Sequence, residues 1–393
     1  MRVLTYTSLY PNKVNPLQGI FIHQRVKHLG LRSGNSVEVI APIPYFPSWL
    51  PSERWRQFSQ IPREETMDGV RIHHPRYPLL PGISMPVHGM LMYLASVSLA
   101  RRLHSENQFD CIDAHFVYPD GFAAVRLGRK LSLPVVVSAR GSDVNLYPSF
   151  RTIRPMLRWT LTHAAGAIAV SADLKNKMIA LGIPETNIQV ISNGVDVERF
   201  QPRDAKSARK QLGLPEERAI LVSAGSLIES KGHHLLIAAV AELARSFPQL
   251  RLYILGEGVY RSTLEQLVRE KKVQDRVFFF GNRPNEELNL WFSAADLSCL
   301  ISSREGWPNV VSEALACGTP VLATRAGGIP EIITSPELGL FVERNVQSIA
   351  VGLERALTKP WNRAEIARHS RSRSWDEVAA EVEAFLQSTI PSR

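Results

Sequence analysis

The chain is poor in cysteine and lacks the pattern of a secretion signal. Among its 393 residues only three are cysteines, Cys111, Cys299 and Cys317, and none has a partner at the spacing of a zinc site or a disulfide framework. Residues 1–7 have the pattern of a short apolar strand, without the cleavage site of a signal peptide. These absences exclude a disulfide-stabilised scaffold and predict a cytoplasmic protein.

The chain also lacks an unbroken hydrophobic run of membrane-spanning length. The only uncharged stretch long enough is Tyr77–Ala100, 24 residues, and Pro78, Pro81 and Pro86 interrupt it. We therefore predict no transmembrane helix. The overlapping segment Met85–Leu103 is predicted to be an apolar helix with a basic end that packs in the core, and the alternative is insertion into a membrane surface.

The signatures of several common cofactors are missing as well. The loop Pro16–Phe21 is not a Gly-x-Gly-x-x-Gly fingerprint, which argues against a nicotinamide enzyme. No Asp-x-Asp pair for a catalytic divalent ion is evident, and the histidine pairs at 73–74 and 233–234 have no carboxylate or cysteine at ligand spacing. We predict a reaction that needs neither a resident cofactor nor a metal ion.

Charge is unevenly distributed along the chain, whose formal net charge is +9. Residues 1–200 hold 22 Lys and Arg against 14 Asp and Glu, whereas the remainder holds 24 against 23. A basic first half predicts an anionic partner. Because no nucleic-acid recognition motif is present, we expect an anionic membrane surface or an anionic acceptor. The predicted membrane contact is formed by the aromatic and basic residues of Pro44–Leu50 and Arg54–Arg56.

Short β-branched runs alternate with amphipathic segments along the whole chain, a pattern typical of α/β proteins with parallel sheets. Each half contains six such runs and is predicted to be its own doubly wound domain. The turn-rich segment Asn193–Asp196 between the halves is the predicted hinge. The predicted strands are Val3–Tyr6, Ser36–Ala41, Cys111–Ala114, Val135–Ser138, Ala167–Val170, Gln189–Ser192, Ile220–Ala224, Arg251–Leu255, Val277–Gly281, Leu297–Leu300, Pro320–Thr324 and Gly339–Val342.

The most informative segment of the chain is Ser303–Pro320, in which a loop runs into a helix. Gly306 and Pro308 end any earlier helix, and proline is tolerated in the first helical turn. The helical pattern begins at Asn309 and ends at Gly318. A second glycine-rich turn into a helix, residues 326–331, follows one strand later, so two such turns are expected on one sheet edge.

Two glutamates lie on either side of this helix start. Glu305 precedes the helix and Glu313 projects from its second turn. Between them lie unpaired backbone N–H groups and the positive end of the helix dipole, which together form an anion site. Two carboxylates that hold hydroxyls on either side of an anion match a sugar nucleotide, in which a diphosphate joins ribose to sugar.

Residues 303–320 resemble the signature of the retaining glycosyltransferases of family 4, and the resemblance extends over nearly the whole chain. It implies the two-domain B-type glycosyltransferase architecture (GT-B), in which two doubly wound Rossmann-like domains face each other across a cleft. By this resemblance, residues 1–199 form the acceptor-binding domain and residues 200–372 the nucleotide-sugar-binding domain. The helix of residues 373–393 is expected to cross back onto the first domain.

The same resemblance assigns the donor site to the second domain. Lys231 resembles the family lysine that pairs with the diphosphate, Glu313 is expected to accept hydrogen bonds from both ribose hydroxyls, and Glu305 to hold the transferred sugar. Arg283 lies where the family places the nucleobase, with an ordinary turn as the alternative. Ser226 stands where the family commonly has an arginine, which removes one cation from the phosphate site. The remaining donor-binding residues are Gly306, Trp307, Pro308, Asn309 and Val310.

In the first domain the resemblance singles out a glycine and three strand-end residues. Gly19 would let the first loop approach the diphosphate. His115 would lie near the reacting sugar and complete the predicted catalytic set with Glu305 and Lys231, and the alternative is a histidine with a structural role. Arg140, at a position where the family often has histidine, and Asp143 are acceptor-side candidates. The alternative for Asp143 is a helix N-cap.

These features predict a metal-independent retaining hexosyltransferase that moves a sugar from a nucleoside-diphosphate sugar to an acceptor hydroxyl. The expected donor is a UDP-sugar or GDP-mannose. The expected acceptor is a glycan or lipid-linked precursor of a cell-surface polysaccharide or glycolipid, met at the cytoplasmic membrane face. A small soluble acceptor is the alternative, and nucleic acid is not an expected partner.

Three other functions compete with this hypothesis. A glycoside hydrolase also uses two carboxylates, but it has no use for an anion site between them. A phosphorylase of similar fold would need a pyridoxal lysine motif, which is not apparent. A non-catalytic nucleotide-sugar-binding or scaffold subunit of a glycan assembly complex is the remaining alternative, and Ser226 is the feature that favours it.

Overall fold

The computed structural model describes residues 1–45, 57–79, 84–217 and 219–391, which form two compact α/β units. The first unit comprises Met1–Asn193 and Trp375–Arg393, and the second comprises Gly194–Ser374. These divisions differ by a few residues from the predicted 1–199, 200–372 and 373–393. The connector joins the second unit because Val195 is buried in its core and the Val195 N–H donates to the Arg373 carbonyl at 2.9 Å.

Sixteen strands are present in the part of the chain that the structure describes. They are β1 Arg2–Tyr6, β2 Ser36–Ile40, β3 Ile43–Tyr45, β4 Glu64–Met67, β5 Val70–His73, β6 Arg76–Pro78, β7 Cys111–His115, β8 Val135–Ala139, β9 Gly166–Ala169, β10 Ile188–Val190, β11 Ala219–Ala224, β12 Leu250–Leu255, β13 Val277–Gly281, β14 Leu297–Leu300, β15 Val321–Ala323 and β16 Gly339–Phe341.

The α-helices alternate with these strands in both units. They are α1 Ile20–Leu31, α2 His88–Asn107, α3 Phe122–Leu131, α4 Ser142–Asn145, α5 Arg154–His163, α6 Ala172–Ala180, α7 Ala205–Gln211, α8 His233–Glu242, α9 Arg261–Glu270, α10 Asn285–Ala294, α11 Asn309–Ala316, α12 Ile329–Ile332, α13 Val346–Thr358, α14 Arg363–Arg371 and α15 Trp375–Thr389. Four of them have an N-cap side chain whose oxygen accepts from a backbone N–H of the first turn, namely Ser171, Asp204, Asn345 and Asn362.

The first unit is built on an eight-stranded sheet with the order β10-β9-β8-β7-β1-β2-β5-β4. Seven strands are parallel, and β4 pairs antiparallel with β5. Central strands such as β8 are buried at every position, as expected for a parallel sheet that is covered on both faces. The chain builds outward from β1 in one direction and then from β7 in the other, so the strand order reverses between β1 and β7.

The second unit has a six-stranded, wholly parallel sheet with the order β13-β12-β11-β14-β15-β16. Its strand order reverses between β11 and β14. In open α/β sheets, ligands bind outside the carboxyl ends of the strands at such a reversal. The loops that follow β11 and β14 are therefore where a ligand of this unit is expected.

The helix α15 belongs to the first unit. Its buried residues Trp375, Val378 and Val382 share a core with Val3 and Ile168. The His28 ring lies 2.7 Å from Asp376, and Arg32 lies 2.5 Å from Glu383. The chain thus leaves the first unit after β10, builds the second unit, and returns to complete the first.

The predicted two-domain α/β fold is confirmed, and all twelve predicted strands are present within one or two residues of their bounds. Strands β3 to β6 were not predicted. No helix in the described ranges is long and apolar enough to cross a membrane. The predicted membrane contact at 44–50 and 54–56 falls, apart from Pro44 and Tyr45, outside the described residues.

Candidate active site

In the second unit, the loops after β11 and β14 touch where the strand order reverses. Gly232 has a φ of +73°, and a Cβ there would lie 2.1 Å from the Ile301 carbonyl oxygen, so only glycine fits. The N–H of Ser303 donates to the Ser230 carbonyl at 2.8 Å. The backbone itself therefore fixes the spacing between these two loops.

This loop contact brings Lys231 and Glu305 together. The Lys231 Nζ lies 2.6 Å from the Glu305 Oε1, and the Ser302 hydroxyl donates to the same oxygen at 2.6 Å. The side chains of Lys231 and Glu305 are 21% and 10% exposed, so the pair is only partly hydrated. Sequence reasoning assigned these residues to different parts of a donor, and the structure adds that they contact each other.

The glycine-rich turn after β15 packs directly behind Glu305. A Cβ at Gly327, whose φ is +54°, would lie 2.2 Å from the Glu305 carbonyl oxygen. The Gly328 N–H donates to the Gly306 carbonyl at 3.0 Å. The two glycine-rich turns predicted to share one sheet edge are thus in backbone contact.

Helix α11 begins at Asn309 as predicted, and Pro308 at its N-cap provides no side-chain cap for the first amides. The positive end of the helix dipole therefore lies beside the Glu305 loop without a capping oxygen from the N-cap residue. The indole N–H of Trp307, which directly precedes this start, is buried and has no partner among the described residues. These are hydrogen-bond donors suited to an anionic or hydroxyl-rich ligand.

Glu313 lies on the second turn of α11 and is partly buried. Burial raises the pKa of its carboxyl to about 7, while the charge of Arg199 lowers it and that of Asp196 raises it. Arg199 and Asp196 come from the connector and were not predicted as site residues. The sequence feature that could have pointed to these two residues is an aspartate followed three residues later by an arginine within a turn-rich segment.

The remaining donor candidates are more dispersed. Ser226 is exposed on the loop after β11, and Val310 packs on the core from the first turn of α11. Arg283 follows the edge strand β13, where it donates to the Phe280 carbonyl at 2.6 Å and lies 3.7 Å from Glu287. Both partners are close in sequence, since Phe280 is in β13 and Glu287 is in the first turn of α10.

Sequence reasoning missed the loop after β12, which packs against the loop after β11. A Cβ at Gly256 would lie 2.1 Å from the Gly225 carbonyl oxygen, and one at Gly258 would lie 2.3 Å from that of Leu227. The Leu227 N–H also donates to the Glu257 carbonyl at 2.9 Å. The Gly-Glu-Gly run directly after a buried strand was the available signal.

In the first unit, His115 ends β7 inside a buried polar cluster. Its Nδ1 lies 2.5 Å from the Arg140 Nη2, and its Nε2 lies 3.3 Å from the Asp113 Oδ2. Burial lowers the pKa of His115 to about 3, the Asp113 charge raises it, and Arg140 lowers it further. His115 is therefore neutral at physiological pH, and its Nε2 has no hydrogen-bond partner among the described residues.

Two buried arginines hold this cluster together. Arg25 donates to both oxygens of Asp113 at 2.8 and 3.0 Å and to the Ser138 hydroxyl at 2.9 Å. Although burial opposes ionisation of Asp113, Arg25 and its other neighbours hold its pKa well below the usual range. Arg140 donates to the Asn193 side-chain oxygen at 3.0 Å, at the end of the first unit.

Asp143 and Gly19 organise loops of the first unit. The buried Asp143 carboxylate accepts from the N–H groups of Val117, Arg140 and Gly141 at 2.8–3.2 Å. It is not an N-cap, because that position of α4 is Gly141. Gly19 has a φ of +66°, and a Cβ there would lie 2.2 Å from the Leu9 carbonyl oxygen, so the loop after β1 closes on itself.

The paired histidines differ from the prediction in one respect. His73 lies 3.3 Å from Glu64 and 3.4 Å from Glu38, and His74 lies 2.7 Å from Glu65. The unpredicted strand β4 supplies Glu64 and Glu65, and the predicted strand β2 supplies Glu38. Even so, no group of three or more His, Cys, Asp or Glu side chains in the described ranges is arranged to hold a metal ion.

Comparison with known proteins identifies the family. A profile described as glycosyl transferases group 1 matches residues 204–373, and one described as glycosyltransferase family 4 matches residues 29–199. The putative teichuronic acid biosynthesis glycosyltransferase TuaC of Bacillus subtilis (strain 168) is 29% identical over 360 residues, which cover 90% of this chain and 89% of that protein.

Solved structures have the same fold at lower identity. Sucrose-phosphate synthase from Thermosynechococcus elongatus aligns with a TM-score of 0.79 at 21% identity, covering 98% of both chains. Anabaena HepE in complex with UDP and glucose aligns with a TM-score of 0.74 at 19% identity, covering 98% of this chain and 99% of that one. The two profiles together take in most of the chain, which accordingly belongs to the family 4 glycosyltransferases and has the GT-B fold.

Proposed function

We propose that the protein is a retaining hexosyltransferase that uses a nucleoside-diphosphate sugar as its donor. The observation that carries this proposal is the contact of Lys231 with Glu305 beside the start of α11, at the strand reversal of the second unit. A cation, a helix N-terminus and a carboxylate within one loop cluster suit a ligand that joins an anionic diphosphate to a sugar.

Each part of the donor has a candidate partner. Lys231 and the first amides of α11 would bind the diphosphate, and Glu305 would accept hydrogen bonds from the sugar hydroxyls. Glu313, one turn further along the helix, would accept from the ribose hydroxyls once its carboxyl is ionised. The complex of HepE with UDP and glucose, a protein of the same fold, supports a uridine nucleotide as the first to test.

In the proposed reaction, the bond between the anomeric carbon and the diphosphate oxygen breaks as the acceptor oxygen bonds to that carbon. Negative charge grows on the departing diphosphate, where Lys231 and the helix amides stabilise it. The departing phosphate oxygen takes the acceptor proton on the same face of the sugar, so the anomeric configuration is retained. No protein nucleophile and no metal ion are required.

The proposed acceptor is a glycan or lipid-linked precursor of a cell-surface polymer. The likeness to TuaC, a putative glycosyltransferase of teichuronic acid biosynthesis, supports a polysaccharide product. The excess of Lys and Arg over Asp and Glu in residues 1–200 supports an acidic acceptor or acidic surroundings. We place the reaction at the cytoplasmic face of a membrane.

Calorimetric titration with UDP, GDP and ADP tests the donor site. One nucleotide should bind, and Glu313→Ala should weaken it at least tenfold, because a charge-assisted hydrogen bond contributes about 1.5–3 kcal/mol. Glu354→Ala, an exposed glutamate on α13, is the matched control and should bind as the wild type does. Absence of binding by all three nucleotides contradicts the proposal.

Two further measurements test the chemistry. Proton NMR of the first-formed product should show the anomeric configuration of the donor, and an inverted product rules out retention. Chelation with EDTA should leave the rate unchanged, and a rate restored only by a divalent ion rules out the metal-independent reaction.

A non-catalytic nucleotide-sugar-binding subunit is the second candidate. It is favoured by Ser226, which is exposed at the position where the family commonly has a cation. This candidate predicts nucleotide binding without transfer to any acceptor and without hydrolysis of the donor. Ser226→Arg would then tighten nucleotide binding and still produce no turnover.

A further inference from the structure

Three loops of the first unit are joined by hydrogen bonds to one turn at the carboxyl edge of its sheet. The turn Val117–Gly121 follows β7. Asp120 accepts from the Ser8 N–H in the loop after β1, and the Val117 N–H donates to Asp143 in the short helix α4, which belongs to the loop region after β8. The Tyr118 hydroxyl donates at 2.6 Å to the Met85 carbonyl, in the segment before α2. These loops therefore form one continuous rim.

The rim exposes large apolar side chains. Leu17, Val87, Leu146 and Phe150 are 43%, 51%, 37% and 41% exposed, and each lies in one of the three loops. Apolar side chains of this size are normally buried, so four of them along one sheet edge need an explanation. They are contributed by three different loops, with Leu146 and Phe150 on the same one, so the exposed apolar surface is spread along the rim.

Every exposed charge on these three loops and on the first turn of α5 is positive. Lys13, Arg151 and Arg154 are exposed, whereas the acids Asp120 and Asp143 are buried beneath the rim. Asp173, in the first turn of α6 after β9, is paired with Lys177 at 2.7 Å. Cations that flank exposed apolar tips complement the headgroup layer of an anionic membrane.

We infer that this rim, formed by Lys13, Leu17, Val87, Leu146, Phe150 and the Arg151–Arg154 turn, docks on an anionic lipid bilayer. The inference rests on the proposed function in one respect, because a lipid-linked acceptor would be met at that surface. The rim lies at the sheet edge where α/β units bind ligands, so docking would present this edge to acceptors held in the membrane.

Vesicle co-sedimentation tests the electrostatic part. Wild-type protein should bind mixed phosphatidylcholine–phosphatidylglycerol vesicles at about 0.1 M salt, and lose binding at about 1 M salt, where the Debye length falls to about 3 Å. It should not bind phosphatidylcholine alone. Arg151→Glu with Arg154→Glu should lower the partition coefficient at least tenfold, since each basic residue near the surface contributes about 1 kcal/mol.

The matched control reverses two exposed charges on the second unit, Arg269→Glu with Lys271→Glu, and should bind as the wild type does. Equal loss in control and rim variants would show that overall charge, not the rim, drives binding, and overturns the inference. Wild-type protein that stays in solution with mixed vesicles overturns it as well.

Insertion of the apolar tips is tested with an environment-sensitive fluorophore. The three native cysteines are buried, so a new exposed cysteine is labelled selectively. Label at Leu17→Cys or Phe150→Cys should shift to shorter emission wavelength with mixed vesicles. Label at Val259→Cys, a 92% exposed position of the second unit, should not. Unshifted emission at both rim positions overturns the inference.

Failure of this inference is distinguishable from failure of the proposed function. Arg151→Glu with Arg154→Glu should bind the nucleotide with wild-type affinity, because neither arginine is among the residues assigned to the donor site. Vesicle binding by a protein that binds no nucleotide would contradict the proposed donor chemistry alone. Nucleotide binding by a protein that ignores vesicles would contradict the rim alone.

Discussion

At the scale of single residues, Lys231 and Glu305 neutralise each other across 2.6 Å. A diphosphate that binds Lys231 must therefore share the ammonium group with Glu305 or displace its carboxylate. This competition makes opposite predictions for the two residues, although both belong to the same candidate site. Because the two side chains are in contact, a phosphate that binds Lys231 would also change the hydrogen bonding of Glu305.

Replacing the two residues separately should shift nucleotide affinity in opposite directions. Lys231→Met removes the cation and should weaken nucleoside-diphosphate binding at least tenfold, because a charge-assisted bond contributes about 1.5–3 kcal/mol. Glu305→Gln removes the competing charge and should leave binding unchanged or strengthen it a few-fold, by about 1 kcal/mol at most. Calorimetry with the bare nucleotide checks both. Equal weakening in the two variants would contradict the competition.

The carboxyl of Glu313 predicts a pH dependence of donor binding. Its pKa of about 7 is raised by burial, so the acid is largely protonated below pH 7 and ionised above it. Because ribose hydroxyls donate to the ionised form, nucleotide affinity should rise as the pH goes from about 6 to about 8. Titrations across this range measure the slope.

Glu313→Gln provides the control for this pH dependence. Its affinity should be lower at pH 8 and nearly independent of pH. The carboxyl pKa is about 4.3 in the unfolded chain and about 7 in the folded protein. Between these pH values the unfolded chain ionises more readily, so the free energy of unfolding falls as the pH rises. The variant should therefore melt at or above the wild-type temperature at pH 8. A wild-type affinity that falls with pH contradicts this role.

At the scale of elements, the loop contact at Gly232 sets the geometry of the pair. Gly232→Ala forces a Cβ against the Ile301 carbonyl and also strains a φ of +73°. The strain alone costs about 1–2 kcal/mol, and the clash adds to it by separating the loops. Urea unfolding should show a loss larger than the strain, and nucleotide binding should fall with it.

Gly213→Ala is the matched control for this prediction. Gly213 lies in the same unit with a φ of +66°, but a Cβ there would meet nothing within 4 Å. It should therefore show only the strain and bind nucleotide normally. Equal stability losses in the two variants would contradict the proposed role of the loop contact.

The twelve predicted strands were recognisable in the sequence because buried parallel strands such as β8 and β11 are apolar runs interrupted by a single serine. Strands β3 to β6 were missed because they are short and contain charges or proline, as in Glu64–Met67 and Arg76–Pro78. Their pairing depends on neighbours supplied by the fold, such as β2 beside β5. The sequence pattern within such a short strand does not show which strand will lie beside it.

The candidate site was predicted in part for a related reason. Glu305, Glu313 and the start of α11 follow from local signals, namely the proline, the glycines and the helical period. The contact of Lys231 with Glu305 depends on β14 lying beside β11, across 74 residues of chain. The burial of His115 between Asp113 and Arg140 depends likewise on β8 lying beside β7. Strand order of this kind is not local.

At the scale of the whole molecule, α15 is as much part of the first unit's core as its strands. Trp375→Ala removes a buried ring from that core and should cost about 3–5 kcal/mol. Hydrogen exchange should then show reduced protection in β1 and α1, with β11 and β12 little changed. Uniform loss of protection in both units would contradict an effect confined to the first.

The path of the chain through the two units has a consequence for biosynthesis. Trp375, Val378 and Val382 complete the core that contains Val3. The first strand therefore cannot be fully packed until a helix more than 370 residues further along the chain has been translated. The second unit is one continuous segment, Gly194–Ser374, and all of it has been translated before that helix appears. On the ribosome, the second unit can therefore fold first, while the first unit remains an incomplete nascent domain with exposed apolar surface until α15 emerges.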